Sequence, residues 1–223
     1  MNIQDFYITG INYKKTDATI RGKFALNEDQ HISILQKANN EGLENVFVLS
    51  TCNRTEIYGV APSSKDLKEL LCSETLGDID IFEEISYTKK GEDAIGHLFS
   101  VASGLDSQIL GDYEIVGQLK QAIRVAKDKG NIGAFMERLT NTVFESSKAI
   151  KNQTVFSGGT VSVAFAAIQF LKYHCNNFSD KKILVIGTGK IGRNTCKNLV
   201  DYLETNNITL INRSADKAKQ LAE

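Results

Sequence analysis

One cysteine of four sits where a thiol can meet a substrate. It is Cys52, in "VLSTCNRTEIYG", Val48 to Gly59. An apolar run ends there, a short polar loop follows, and a second strand-like run begins. A thiolate is a strong nucleophile, and a neighbouring cation favours it over the thiol. Arg54 is close enough along the loop to help, or to hold a substrate carboxylate with its planar fork. Cys72, Cys175 and Cys196 fall inside or at the end of helical patterns, where cysteines usually serve packing. A packing role for Cys52 is the plain alternative.

The second chemical pattern is Gly187-Thr188-Gly189-Lys190-Ile191-Gly192. It follows the continuous apolar strand Ile183 to Ile186 and opens a helix; a second apolar strand runs from Ile208 to Ile211. In that setting the first glycine allows a tight turn, the second lets backbone approach a pyrophosphate, and the third lets helix pack on strand. The plain alternative is a generic glycine turn. NAD sites usually place an acid at the end of the second strand. Here that place reads Asn212, Arg213, Ser214, with no carboxylate and with an arginine suited to a 2′-phosphate, which favours NADP. A thiol and a hydride donor in one chain point to thioester chemistry: the thiolate captures an acyl group, and hydride reduces it to an aldehyde.

Other chemistry has less support. No cysteine lies in a CxxC or Cys/His metal spacing, and His31, His97 and His174 are scattered, so no metal site is expected. The net charge of −1 gives no global attraction to nucleic acid or to a membrane. No apolar run approaches the ~20 residues of a membrane span, and the N-terminus lacks a signal-peptide pattern; a cytoplasmic protein with free thiols is expected.

The elements that must position these groups read as an α/β chain. "DFYITGINY", "NVFVLS", "TEIYGV" and "IFEEISYTK" read as strands. "LNEDQHISILQKANNEGL" reads as a helix, with Asn27 and Gln30 forming a capping box and Gly42 ending it. "SKDLKELLCSETLG" is a leucine-faced helix, and the lone proline, Pro62, starts the connection before it. The order suggests a small open sheet with helices on one face. From Gly91 to about Thr154 the pattern turns helical. Its expected faces are Ile95, Leu98, Phe99, Ala102, Leu105, then Ile115, Val116, Leu119, Ile123, Ala126, then Phe135, Leu139, Val143, Ser146, Ile150. A boundary is expected at the glycine pair Gly158–Gly159, giving a catalytic α+β domain over 1–156 and a partial Rossmann-type NADP-binding domain over 157–223.

"VLSTCNRTEIY", "GHLFSVASGLDSQILGDYEIVGQLKQA" and "VIGTGKIG", in that order, resemble the glutamyl-tRNA reductases. The resemblance covers nearly the whole chain, and the first two motifs are long and specific. It implies reduction of glutamyl-tRNA to glutamate-1-semialdehyde with NADPH, the first step of the five-carbon route to tetrapyrroles. It makes Cys52 the nucleophile and His97 a histidine needed for activity, as proton donor or substrate orienter. It makes Thr51, Cys52, Asn53 and Arg54 a substrate loop, with Arg54 on the glutamate carboxylate. Ser107, Asp112, Tyr113, Glu114 and Gln118 form the second substrate set, and Gly187 to Gly192 the cofactor loop. It implies a homodimer at full length and an aminotransferase partner for the unstable aldehyde. The family commonly has Glu where this chain has Asp112 and Gln where it has Glu114, so position 114 here only accepts hydrogen bonds. Family members continue through the nucleotide domain into a helical dimerisation domain, so this chain is expected to be a piece of a longer protein. Lys120, Arg124, Lys127 and Lys129 read as a solvated helix face, with contact to tRNA phosphates the sharper alternative.

Two other classes fit the residues: a different NADP-dependent oxidoreductase of shikimate-dehydrogenase type, and a non-catalytic NADP-sensing module. The first needs no thiol, so alkylating Cys52 would leave it active. The second would bind NADPH and form no thioester.

Overall fold

The computed structural model describes residues 2–154, 156, 163–175, 177–178 and 180–223. The chain divides into two units, Met1–Ser157 and Gly158–Glu223. The expected boundary, Gly158–Gly159, lies outside the described residues.

The first unit is built on an antiparallel sheet of β1 (Phe6–Asn12), β2 (Phe47–Ser50), β3 (Arg54–Val60) and β4 (Tyr87–Lys90), in the order β2-β3-β1-β4. Six helices of this unit bear on the site or on the sequence reading: α1 (Ala18–Lys23), α2 (Glu28–Asn40), α3 (Ser64–Cys72), α4 (Ile79–Ile85), α5 (Gly91–Ala102) and α6 (Glu114–Asp128). A seventh, α7 (Ala134–Gln153), is the longest of them. The capping box at Asn27 and Gln30 is formed in both directions, and Gly42 just beyond α2 has φ +70°.

The central strands are buried on both faces, which corrects the expectation of helices on one face. Every residue of β1 is buried. On one face Gly59 lies against Leu67 of α3. On the other, Phe6 packs edge-on against Phe135 of α7 and Glu56 meets His97 of α5. Polar side chains on strands covered on both sides, such as Glu56, lie in the interior and need partners.

The register shows how one such residue is accommodated. Gly10 of β1 stands between Glu56 of β3 and Tyr87 of β4. A Cβ at Gly10 would lie 2.5 Å from the Thr55 carbonyl oxygen and 2.7 Å from Glu56 Cγ. Without one, Tyr87 reaches across β1 to Glu56.

Three local expectations are corrected. "IFEEISYTK" is not one strand: Ile79–Ile85 is helical, started by the Asp78 side chain on the Asp80 N–H, and the strand begins at Tyr87. Leu105 lies past the end of α5 and is exposed. The buried stripe of α7 is Met136, Thr140, Val143 and Ser147, one position round from the expected face apart from Val143. Hydroxyl groups enter that stripe because backbone carbonyls satisfy them: Thr140 donates to Met136 at 2.8 Å, and Ser147 to Ala102 at 2.7 Å.

The second unit holds α8 (Val163–His174), β5 (Ile183–Ile186), α9 (Lys190–Leu203), β6 (Ile208–Ile211) and α10 (Ala215–Ala222). β5 and β6 are parallel and joined through α9, the start of a doubly wound fold. Ile183, Val185, Ile208 and Leu210 turn toward a small core with Ile168, Cys196 and Leu199. The opposite face is open, with Leu184 53% and Ile186 77% exposed. Among the described residues no helix is long and apolar enough to cross a membrane.

Candidate active site

The turn between β2 and β3 presents the thiol. Thr51 organises it: its Oγ1 accepts from the N–H groups of Asn53 and Arg54, both at 3.2 Å. Its own N–H donates to the Arg54 carbonyl at 2.8 Å. The Tyr13 N–H holds the Asn53 carbonyl at 2.9 Å. Arg21 of α1 completes the grip, donating from Nε to the Cys52 carbonyl at 3.2 Å and from a terminal nitrogen to the Thr16 carbonyl. Cys52 is exposed on this braced turn. The other thiols are less available. Burial pushes Cys72 up to about 11 and raises Cys196, whereas Cys175 is half-buried at the end of α8.

Arg54 departs from the expectation of an open clamp beside the thiol. It points inward, 2% exposed. One terminal nitrogen donates to Glu56 Oε1 at 2.9 Å; the other donates to Asp106 Oδ2 at 3.0 Å and to the Asp106 carbonyl. Burial works against the Arg54 charge, but the Glu56 carboxylate overcomes it and raises the pKa further.

Glu56, given no role from the sequence, is the centre of the cluster. It is fully buried and accepts from Arg54, from His97 Nε2 at 2.8 Å, from the Tyr58 hydroxyl at 2.6 Å and from the Tyr87 hydroxyl. Burial alone would push its carboxyl up. The Arg54 charge and the His97 and Tyr58 hydrogen bonds outweigh that and hold it at about 2. Burial and the Glu56 charge together raise Tyr58 and Tyr87, keeping both phenols protonated as donors.

An ionised carboxylate only accepts, so the His97 proton sits on Nε2 and Nδ1 is the nitrogen left for other work. His97 is buried in α5. The signal for Glu56 was in the sequence. Arg54, Glu56 and Tyr58 alternate along a strand and therefore share one face.

The second predicted set is divided. The Ser107 carbonyl accepts from the Tyr13 hydroxyl at 3.2 Å, which ties its loop to the residue that holds Asn53. Asp106 pairs with Lys14 as well as Arg54. Asp112 Oδ1 accepts from the Glu114 N–H at 2.9 Å at the start of α6, so this acid supports the helix entrance. The Tyr113 ring lies under Lys151 Nζ, 4.8 Å from its centroid. Gln118 is exposed on α6. Of the basic residues on that helix, Lys127 pairs with Glu137, Arg124 lies 4.0 Å from Asp128, and Lys120 sits over Phe144. Partnered this way, they form a solvated face more than a phosphate track.

The glycine loop has the geometry of a phosphate cradle. Gly187 has φ +96° and donates to the Ile211 carbonyl at 2.7 Å. A Cβ at Gly192 would lie 2.0 Å from the Gly187 carbonyl oxygen, so only glycine allows α9 to start so close to β5. Gly189 caps α9 without a side-chain hydrogen bond, and a Cβ there would point into open space. A helix N-terminus directs its backbone N–H groups toward an anion. Lys190 and Ile191 form the first turn of α9. Asn212 braces the loop, accepting from the Thr188 N–H at 3.3 Å and donating to the Ser214 carbonyl at 3.0 Å. Arg213 and Ser214 are exposed beside it. Arg193, absent from the sequence reading, donates to the Thr188 carbonyl at 3.1 Å. No cluster of metal-ligating side chains occurs among the described residues.

Residues 9–154 match the family model for the glutamyl-tRNAGlu reductase N-terminal domain, and residues 169–223 that for shikimate/quinate 5-dehydrogenase. A glutamyl-tRNA reductase of Christiangramia forsetii is 51% identical, over 97% of this chain and 52% of its own length. One from Aquifex aeolicus is 33% identical, over 98% of this chain and 54% of its own. The solved glutamyl-tRNA reductase from Methanopyrus kandleri superposes with a TM-score of 0.65 at 28% identity, covering 98% of this chain and 52% of that one. The chain thus spans about half the length of the relatives it matches. With its thiol-bearing sheet matched over residues 9–154, the chain belongs to the glutamyl-tRNA reductase family, in the part that carries the N-terminal domain.

Proposed function

We propose that the protein to which this chain belongs reduces glutamyl-tRNA to glutamate-1-semialdehyde with NADPH, the first step of five-carbon tetrapyrrole synthesis. The observation that carries this reading is the exposed Cys52 on a turn braced by Thr51 and Arg21, inside the segment that matches the reductase N-terminal domain. Cys52 Sγ attacks the aminoacyl ester carbon. The bond to the terminal ribose oxygen breaks, and tRNA leaves with a proton on that oxygen. The glutamyl group stays on sulfur as a thioester. When bound, NADPH supplies the hydride that takes the thioester to the aldehyde and frees the thiolate.

The chain's own residues prepare these events. Thr51 and Asn53 fix the turn, and Arg54 supplies the positive end of a path for the glutamyl carboxylate. Glu56 fixes the tautomer of His97 with the proton on Nε2, so Nδ1 is the nitrogen that can accept a hydrogen bond or a proton from the substrate. Ser107, Asp112, Tyr113, Glu114 and Gln118 line the approach. Gly187 to Gly192 hold the pyrophosphate, and Asn212, Arg213 and Ser214 the ribose phosphate of NADPH. The protein works in the cytoplasm as a homodimer and passes its aldehyde to an aminotransferase.

The shikimate-dehydrogenase reading is favoured only for residues 169–223, the nucleotide-binding part of the chain. The test is full-length enzyme with glutamyl-tRNA and NADPH. Loss of NADPH absorbance matched by release of uncharged tRNA supports the reading. NADPH binding without turnover would favour the sensing module.

A further inference from the structure

We propose that Asp106 is an exchangeable carboxylate, holding one side of the Arg54 guanidinium until the substrate's own carboxylate replaces it. This rests on the reading of Arg54 as the group that binds the glutamyl side chain.

The two acids on Arg54 are not equivalent. Glu56 lies within β3, fully buried, and leaving would strand the donors of His97, Tyr58 and Tyr87. Asp106 lies on the loop between α5 and α6 and divides its carboxylate between Arg54 and Lys14. The Lys14 side chain is half exposed, so this pair faces water. The loop is closed at its base. Gly104 and Gly111 have φ of +74° and +79°, and the Gly111 N–H donates to the Gly104 carbonyl at 3.1 Å. The Asp106 N–H is held by the Ser100 carbonyl and its own carbonyl by Arg54, so the exchange is a turn of the Asp106 side chain toward Lys14 that unwinds neither helix.

Charge then selects the sequence of events. Arg54 balances Glu56, and Lys14 balances Asp106. A substrate carboxylate reaching Arg54 brings a second exchangeable negative charge to a fork that already faces two acids, and like charges at such range repel. Exchange removes the conflict: Arg54 trades one carboxylate for another, and Asp106 keeps Lys14. An uncharged side chain cannot compensate for the displaced pair, so Asp106 makes the site selective for a carboxylate.

The test is steady-state kinetics of full-length enzyme with glutamyl-tRNA, using Asp106→Asn and Lys14→Met, with glutaminyl-tRNA as the uncharged probe. Asp106→Asn weakens the competitor and should lower KM about tenfold, the scale of one charged hydrogen bond. It should also narrow the preference for the glutamyl over the glutaminyl donor. Lys14→Met removes the partner that receives Asp106 and should raise KM. A merely structural Asp106 would raise KM or leave it unchanged in its own variant, and would not give opposite signs in the two. If Asp106→Asn fails to fold, an unchanged or lowered KM in Lys14→Met overturns the proposal alone. Equal use of both donors by the wild-type enzyme would instead overturn the parent reading of Arg54.

Discussion

Replacing Glu56 with glutamine tests the buried cluster at its centre. The carboxylate is held at about 2, against 4.5 for a free one, so its ionisation favours the folded state by about 3 kcal/mol. A second route gives a similar figure. Removing one partner of a buried ion pair costs about 3–5 kcal/mol because the other charge stays buried. Glutamine keeps one acceptor oxygen, but turns an N–H group toward the donors of His97, Tyr58 or Tyr87. The lower end, about 3 kcal/mol, is therefore expected at neutral pH. The sign of the pH dependence follows from a folded pKa below the unfolded one. The stabilisation is complete above about 4.5 and is lost as pH falls through about 2. Urea denaturation of wild type and variant, followed by circular dichroism, should show the full gap at pH 7 and roughly half of it at pH 3. A gap under about 1 kcal/mol at pH 7, or one that does not shrink at pH 3, would refute the account of Glu56.

Other expectations are more direct. Arg54→Lys should lower kcat/KM for the glutamyl donor at least about tenfold, since one ammonium cannot span Glu56 and Asp106 as the fork does; near-normal turnover would argue against the clamp. Gly10→Ala should destabilise the first unit in thermal melts, because its Cβ would meet the Thr55 carbonyl. Calorimetric titration of residues 1–223 with NADPH should show weak binding or none: the nicotinamide end normally rests on the second half of a doubly wound sheet, and one face of β5 and β6 is open here. Affinity equal to that of the full-length enzyme would contradict this.

Much of this protein is legible in its sequence where local chemistry acts alone. The Asn27–Gln30 capping box and the strand–glycine–helix sequence at Gly187 are of that kind, because their partners lie within a few residues. The Cys52 turn is partly so: Thr51 is local, but Arg21 arrives from α1, 31 residues away. What stayed hidden depends on long-range contact. Glu56 looks like a solvent-facing strand residue until both faces of the sheet are known to be covered and His97, 41 residues on, is seen to meet it. Ile81–Ile85 reads as strand because a short apolar run fits strand and helix periods equally, and the Asp78 cap decides it. The α7 stripe is hidden because Thr140 and Ser147 count as polar by type but are satisfied by carbonyls.

The central claim is that Cys52 carries the glutamyl group. Full-length enzyme incubated with glutamyl-labelled glutamyl-tRNA, without NADPH and quenched in acid, should retain label on the peptide containing Cys52. Added NADPH should discharge it as the aldehyde, and Cys52→Ser should retain none. Label held equally by the serine variant, or found on Cys72, Cys175 or Cys196, would contradict the account.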